Sequence, residues 1–148
     1  MKKIEKELLI KKANEGYTVC YEEQCPLRDH CLRWQVGQHV PHTAYAYTCV
    51  NPNYQGVATT ECPMYRKDQK VRFAKGMKHL FNDDMPKRVQ DAVKFGVMGK
   101  SNRTYYYEYK NGSRLIPSAL QEHIHNLFRE NGWTEEVHFD SYVDDYNW

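Results

Sequence analysis

The chain has 148 residues, of which 41% are hydrophobic and 14% aromatic, and 21 Lys and Arg stand against 19 Asp and Glu. That richness in aromatics excludes a disordered chain, and the absence of an apolar run near about 20 residues excludes a membrane-spanning helix. The length fits one domain, or two small units.

The opening MKKIEKELLIKKANEG carries charge but no sustained apolar core and no small-residue cleavage site. It does not read as a signal peptide, so the expectation is a cytoplasmic protein with reduced thiols. Residues 2–13 read as a short helix with Ile4 and Leu8 on one face, ended by Gly16. Residues 17–21 and 43–50 read as strands by β-branched and aromatic content. Between them, Cys25-Pro26 makes a turn and Leu27 to Trp34 one or two helical turns. Residues 51–56, NPNYQG, form a loop.

After Pro63 the spacing turns helical. Phe73, Met77, Leu80 and Phe81 fall at i, i+4, i+7 and i+8, which predicts an amphipathic helix over 67–81. Asp83 or Asp84 can cap the next helix, with Pro86 in its first turn and Gly96 as its stop; GVMGKS (96–101) reads as a turn. Asn102 is expected to cap a helix from Arg103 to Lys110 that ends at Asn111-Gly112. The rival reading of 104–116 is a β-hairpin, since Asn-Gly between aromatic runs is a strong hairpin signal. The helix is preferred because clean helical segments flank it. Pro117 opens a further helix with Leu120, Ile124, Leu127 and Phe128 on one face, ended by Asn131-Gly132. The tail starts like a strand, and Asp140 can cap a last helical turn. The expected class is α+β: a small N-terminal Cys-bearing unit with short strands (1–65), a basic, mainly helical unit (66–132) and an acidic aromatic tail (133–148).

All five cysteines lie between residues 20 and 62, as C-x4-C-x5-C followed by Cys49 and Cys62. An odd count fits a closed disulfide set poorly. Four thiolates suit zinc, although the gaps are wider than usual knuckles; an iron–sulfur cluster tolerates such gaps and a Cys-Pro ligand. His30, His39 and His42 are alternative nitrogen ligands. Ordinary buried cysteines account for the pattern equally well. The segments VCYEEQCPLRDHCLRW, ECPMYRKDQKVRFAKGM, YYYEYKNGSRLIP and FDSYVDDYNW resemble an uncharacterised domain-of-unknown-function family of small proteins from gut Bacteroidetes. That resemblance implies no activity. It does imply that Cys20, Cys25, Cys31 and Cys62 belong to the pattern and that Cys49 stands apart. The expected cofactor is therefore zinc on those four cysteines, with a cluster second.

Charge is segregated. Residues 1–65 hold seven basic and seven acidic side chains, residues 66–132 fourteen and seven, and residues 133–148 none and five. A basic segment points to an anionic partner, or is neutralised by the acidic tail. Residues 92–128 are similar to repressor-type helix-turn-helix domains in spacing and residue type. The resemblance implies that Lys100, Ser101, Asn102, Arg103, Thr104 and Tyr107 start or face outward from a recognition helix, with Lys110 and Arg114 nearby, on double-stranded DNA. The alternative is a protein-interaction module that binds no nucleic acid. Enzyme templates fail: a phosphate loop needs glycine where Lys94 stands, and G-x-S-x-G, H-E-x-x-H and G-x-G-x-x-G are absent. His123 and His125 sit two apart on a helix and diverge. The expectation is a nucleic-acid-binding or regulatory protein rather than an enzyme.

Overall fold

The computed structural model describes residues 3–148 and shows a mixed α+β chain. It divides into two compact units, residues 1–70 with 146–148 and residues 71–145. None of the helices among the described residues is long and apolar enough to cross a membrane.

In the first unit, α1 spans Lys6–Asn14 and α2 spans Leu32–Gly37, with a 3-10 turn at Arg28–His30. Residue 2, where the sequence reading starts the first helix, lies outside the described residues. The two expected strands reduce to a single parallel bridge between Val19 and Cys49. The rest of 38–62 runs as turns, because Asn, Pro and Gly interrupt any ladder there. The core is small. Ile4, Leu9, Val19, Leu32 and Val36 form it, with Tyr17, Tyr146 and Trp148 packed at its edge.

In the second unit, the predicted helix over 67–81 is not formed. Residues Lys70–Lys75 are strand β1, paired antiparallel with β2 (Ser141–Tyr146). Ala74 also exchanges backbone bonds with Ile116. Pairing with residues so distant in sequence outweighed the local helical period. Gly76, at φ +87°, then turns the chain where a helix would continue.

Three helices follow: α3 (Lys87–Lys100), α4 (Arg103–Asn111) and α5 (Ser118–Glu130). Gly96 does not stop α3, which runs on to Lys100, so only Ser101 of GVMGKS lies outside the helix. A Cβ at Gly96 would stand 2.6 Å from Leu127 Cδ1, so glycine there lets α3 and α5 pack closely. Pro86 occupies the N-cap position of α3 without a side-chain cap, so neither Asp83 nor Asp84 fills that role. Asn102 does cap α4, accepting a hydrogen bond from Tyr105 N at 2.8 Å. Gly112 at φ +87° closes it, so within the contested 104–116 stretch residues 104–111 are helix and the hairpin does not form. Val89, Val93, Val97, Tyr106, Ile124 and Phe128 fill the shared core.

Asp140 precedes a strand rather than a helix. Its carboxylate reaches back to a turn 61 and 62 residues earlier, accepting from His79 N at 2.8 Å and Lys78 N at 3.0 Å, with His79 Nδ1 at 3.0 Å. Burial raises its pKa, but the two amides and the His79 side chain together outweigh burial and hold it below the ordinary carboxylate value. A depressed folded pKa contributes stability that is present above the unfolded value and lost as pH falls through the folded one. Asp140→Asn should therefore flatten the acid limb of the stability curve below the ordinary carboxylate range, as read by urea unfolding at several pH values. An acid limb identical to wild type would show that the carboxylate charge does not matter.

Candidate functional sites

Four of the five cysteines come together in the first unit. Cys20, Cys25, Cys31 and Cys62 all line one cavity of about 20 Å³, alongside Leu27, Val50 and Arg33. Cys49 does not line it; that residue is exposed, and its thiol donates to Val50 O at 3.5 Å. Two of the four thiols arrive on matching turns. In Cys25-Pro26-Leu27-Arg28 the carbonyl of Cys25 accepts from Arg28 N at 3.3 Å, and in Cys62-Pro63-Met64-Tyr65 that of Cys62 accepts from Tyr65 N at 3.2 Å. Proline suits the second position of such a turn because its φ is already set. Cys31 is buried ahead of α2, where Leu32 N donates to Arg66 O at 2.7 Å and anchors the segment. Cys20 N donates to Arg33 O at 3.1 Å. Burial raises the Cys20 thiol above its ordinary pKa. Among the described residues, no three Cys, His, Asp or Glu donors converge on one point as the side chains stand.

Arg33 is the buried charge of this region, 8% exposed. Its Nε donates to Met64 O at 2.8 Å and its Nη1 to Thr18 O at 3.0 Å, and its guanidinium lies 5.1 Å from the Tyr17 ring centre. Those partners tie three separate stretches of chain together.

Of the histidines weighed as ligands, His30 and His39 line a different cleft of about 390 Å³ with Trp34, Asp29 and Asp68. His30 Nδ1 lies 3.3 Å from Asp68 Oδ2, which also accepts from Gln35 Nε2 at 2.9 Å. The sequence reading missed this pair, which lies 38 residues apart along the chain. A carboxylate can orient an imidazole in this way, but no Ser, Thr or Cys lines the cleft to act as nucleophile.

In the second unit the structure separates the predicted nucleic-acid contacts into two groups. Arg103 and Tyr107 share one face of α4, with the guanidinium 5.9 Å from the ring centre. Lys94 of α3 stands 5.8 Å from the same ring and 5.9 Å from Phe95, which is 63% exposed. Tyr107 itself is 40% exposed. Lys94, by hydrogen bond and then by charge, lowers the Tyr107 pKa; desolvation opposes it, and Arg103 adds a lesser lowering. Lys100 and Thr104 are also exposed.

The other predicted contacts bond within the fold, Lys110 through its backbone. Asn102 caps α4, and Ser101 Oγ donates back to Val97 O at 2.9 Å. The carbonyl of Lys110 accepts from Met77 N. Arg114 Nε donates to Glu108 Oε2 at 2.6 Å while its guanidinium covers Tyr105 at 3.6 Å from the ring centre. Lys94 and Phe95 were missed in the sequence because their place beside Tyr107 depends on how α3 and α4 pack, which no local pattern shows.

The whole chain, residues 1–148, matches the family of unknown function DUF6078, and the protein belongs to that family. No curated protein and no solved structure matches it.

Proposed function

We propose that this member of DUF6078 is a small nucleic-acid-binding protein that contacts duplex DNA through α4 and the adjoining end of α3. The observation that carries the reading is the patch of Lys94, Phe95, Arg103 and Tyr107, where two cations and two exposed aromatic rings lie side by side. Cations neutralise phosphate and release counterions, and exposed rings stack on bases or pack against sugar. The patch lies in the part of the chain where basic residues outnumber acidic ones two to one. A two-residue connection, Ser101-Asn102, sets α4 directly after α3, shorter than the turn of about three to four residues usual in helix-turn-helix proteins.

Fluorescence anisotropy with a mixed-sequence duplex at two salt concentrations tests this. Lys94→Glu with Arg103→Glu should weaken binding by about tenfold or more and reduce the salt slope by roughly two contacts. Lys3→Glu with Lys6→Glu, outside the basic segment, should change it far less. A folded wild-type protein that binds no duplex at low salt overturns the reading. Preference for a single strand over the duplex would keep the nucleic acid and replace the groove by base stacking.

A second reading, a protein-interaction module, draws on the first unit. Tyr45 is fully exposed there, and Tyr47 and Tyr54 are more than half exposed. Exposed tyrosines at this density are a recognised feature of protein-binding surfaces. Duplex binding that survives Tyr45→Ala with Tyr54→Ala, and is lost on changing the α4 patch, separates the two.

A further inference from the structure

We infer that Cys20, Cys25, Cys31 and Cys62 are the four thiolate ligands of a single zinc ion, and that the buried guanidinium of Arg33 balances part of that centre's negative charge. The inference stands independently of nucleic-acid binding.

Four observations converge on it. The first is selection: four thiols from two stretches of chain, 20–31 and 62, line one cavity while the fifth lies outside it. Apolar burial alone gives no reason for cysteine at every one of those four positions, when Val, Ala or Leu would fill them without a reactive atom.

The second is size. The space open to the centre of a water molecule there is only about 20 Å³. A lone ion bound at about 2.3 Å from each sulfur needs no more than that. The thiols line the cavity without converging, so binding has to draw them inward. In the balanced step, four Cys–SH and Zn²⁺ give a tetrathiolate zinc centre of charge −2 and four released protons.

The third is charge. Arg33 lines the same cavity, and its partners are two carbonyls and a ring; among the described residues no carboxylate pairs with it. Burying a cation without a counter-charge is expensive. A centre of charge −2 beside it supplies the missing partner. Arg66 adds a second cation near the same residues, acting with Arg33 on Tyr17, and its Nε is buried without a hydrogen-bond partner.

The fourth is stability. Among the described residues, five buried side chains form the core cluster of this unit, with partly buried ones packed against them, and residues 38–62 contribute no regular helix or strand. Units with so little core are ordinarily held by a metal or disulfides.

The test measures metal in the full chain, purified without a histidine tag. Elemental analysis and native mass spectrometry should find about one zinc per chain. Cys49→Ser should keep the full equivalent. Cys25→Ser and Cys62→Ser should each lose zinc at least tenfold more readily to a chelating indicator. Arg33→Met should weaken retention while leaving all four ligands in place. Because these variants can fail to fold, cobalt substitution of the wild type provides a second reading: a tetrahedral thiolate complex has intense visible bands and strong sulfur-to-cobalt charge transfer. Zinc-free protein that unfolds cooperatively and is indifferent to chelator overturns the inference. So do iron with acid-labile sulfide, and a mass lowered by the hydrogens of two disulfides.

Discussion

Tyr106→Ala should destabilise the 71–145 unit by about 3 to 5 kcal/mol, whereas Tyr107→Ala, one position along, should leave stability nearly unchanged and weaken nucleic-acid binding. The two side chains leave α4 about 100° apart. Tyr106 is 2% exposed and packs in the cluster with Val89, Val93, Ile124 and Phe128. Removing it takes away a large buried ring and leaves a cavity, and losses of that kind cost about 3 to 5 kcal/mol for aromatic residues. Burial also raises its phenol to a pKa of about 12, so Tyr106 should stay un-ionised when exposed tyrosines titrate. Tyr107 instead holds its ring out between Lys94 and Arg103. An aromatic ring that stacks on a base contributes about 1 to 3 kcal/mol, so its loss corresponds to roughly 5- to 150-fold in affinity. Urea unfolding and anisotropy titration of both variants check the pair. Equal affinity for Tyr107→Ala and wild type would remove the ring from the interface.

Gly76→Ala should be the most damaging single-methyl change in the second unit, at about 3 kcal/mol. Two costs act together. At φ +87° an L side chain is strained, of order 1 to 3 kcal/mol. The added Cβ would also run into the Asp140 carboxylate, standing 3.0 Å from its Cβ and Cγ. Displacing that carboxylate loosens its bonds to Lys78 N and His79 N, and a hydrogen bond to a charged group is worth about 1.5 to 3 kcal/mol. For a unit of this size the midpoint of thermal unfolding should fall on the order of 15 °C. A double variant with Asp140→Ser should lose less than the sum of the single changes, because the collision is relieved while the strain remains. Strict additivity would show that the methyl acts through the backbone alone.

The amino-acid sequence by itself determined what rests on local chemistry. Asn102 as a cap, Gly112 as the left-handed stop and Pro117 before α5 are short-range features, and each lies where its residue type predicts. The segregation of cysteines into one part of the chain was legible for the same reason, since thiol positions need no fold to be seen; that Cys49 stands apart from the other four was implied only by the family resemblance. Other features were decided by partners far away in sequence. The stretch around Phe73 has a helical period, yet β1 forms because Ser141–Tyr146 and Ile116 offer backbone bonds to it. Gly96 looks like a stop, yet α3 continues because Leu127 of α5 fills the space beside it. Asp140 looks like the cap of its own segment, yet it serves a turn some sixty residues earlier. The common cavity of the four thiols, the buried cation beside it and the pairing of Lys94 with Tyr107 arise in the same way. Each joins residues that only folding brings together, and burial and long-range hydrogen bonds outweigh local propensity wherever the two compete.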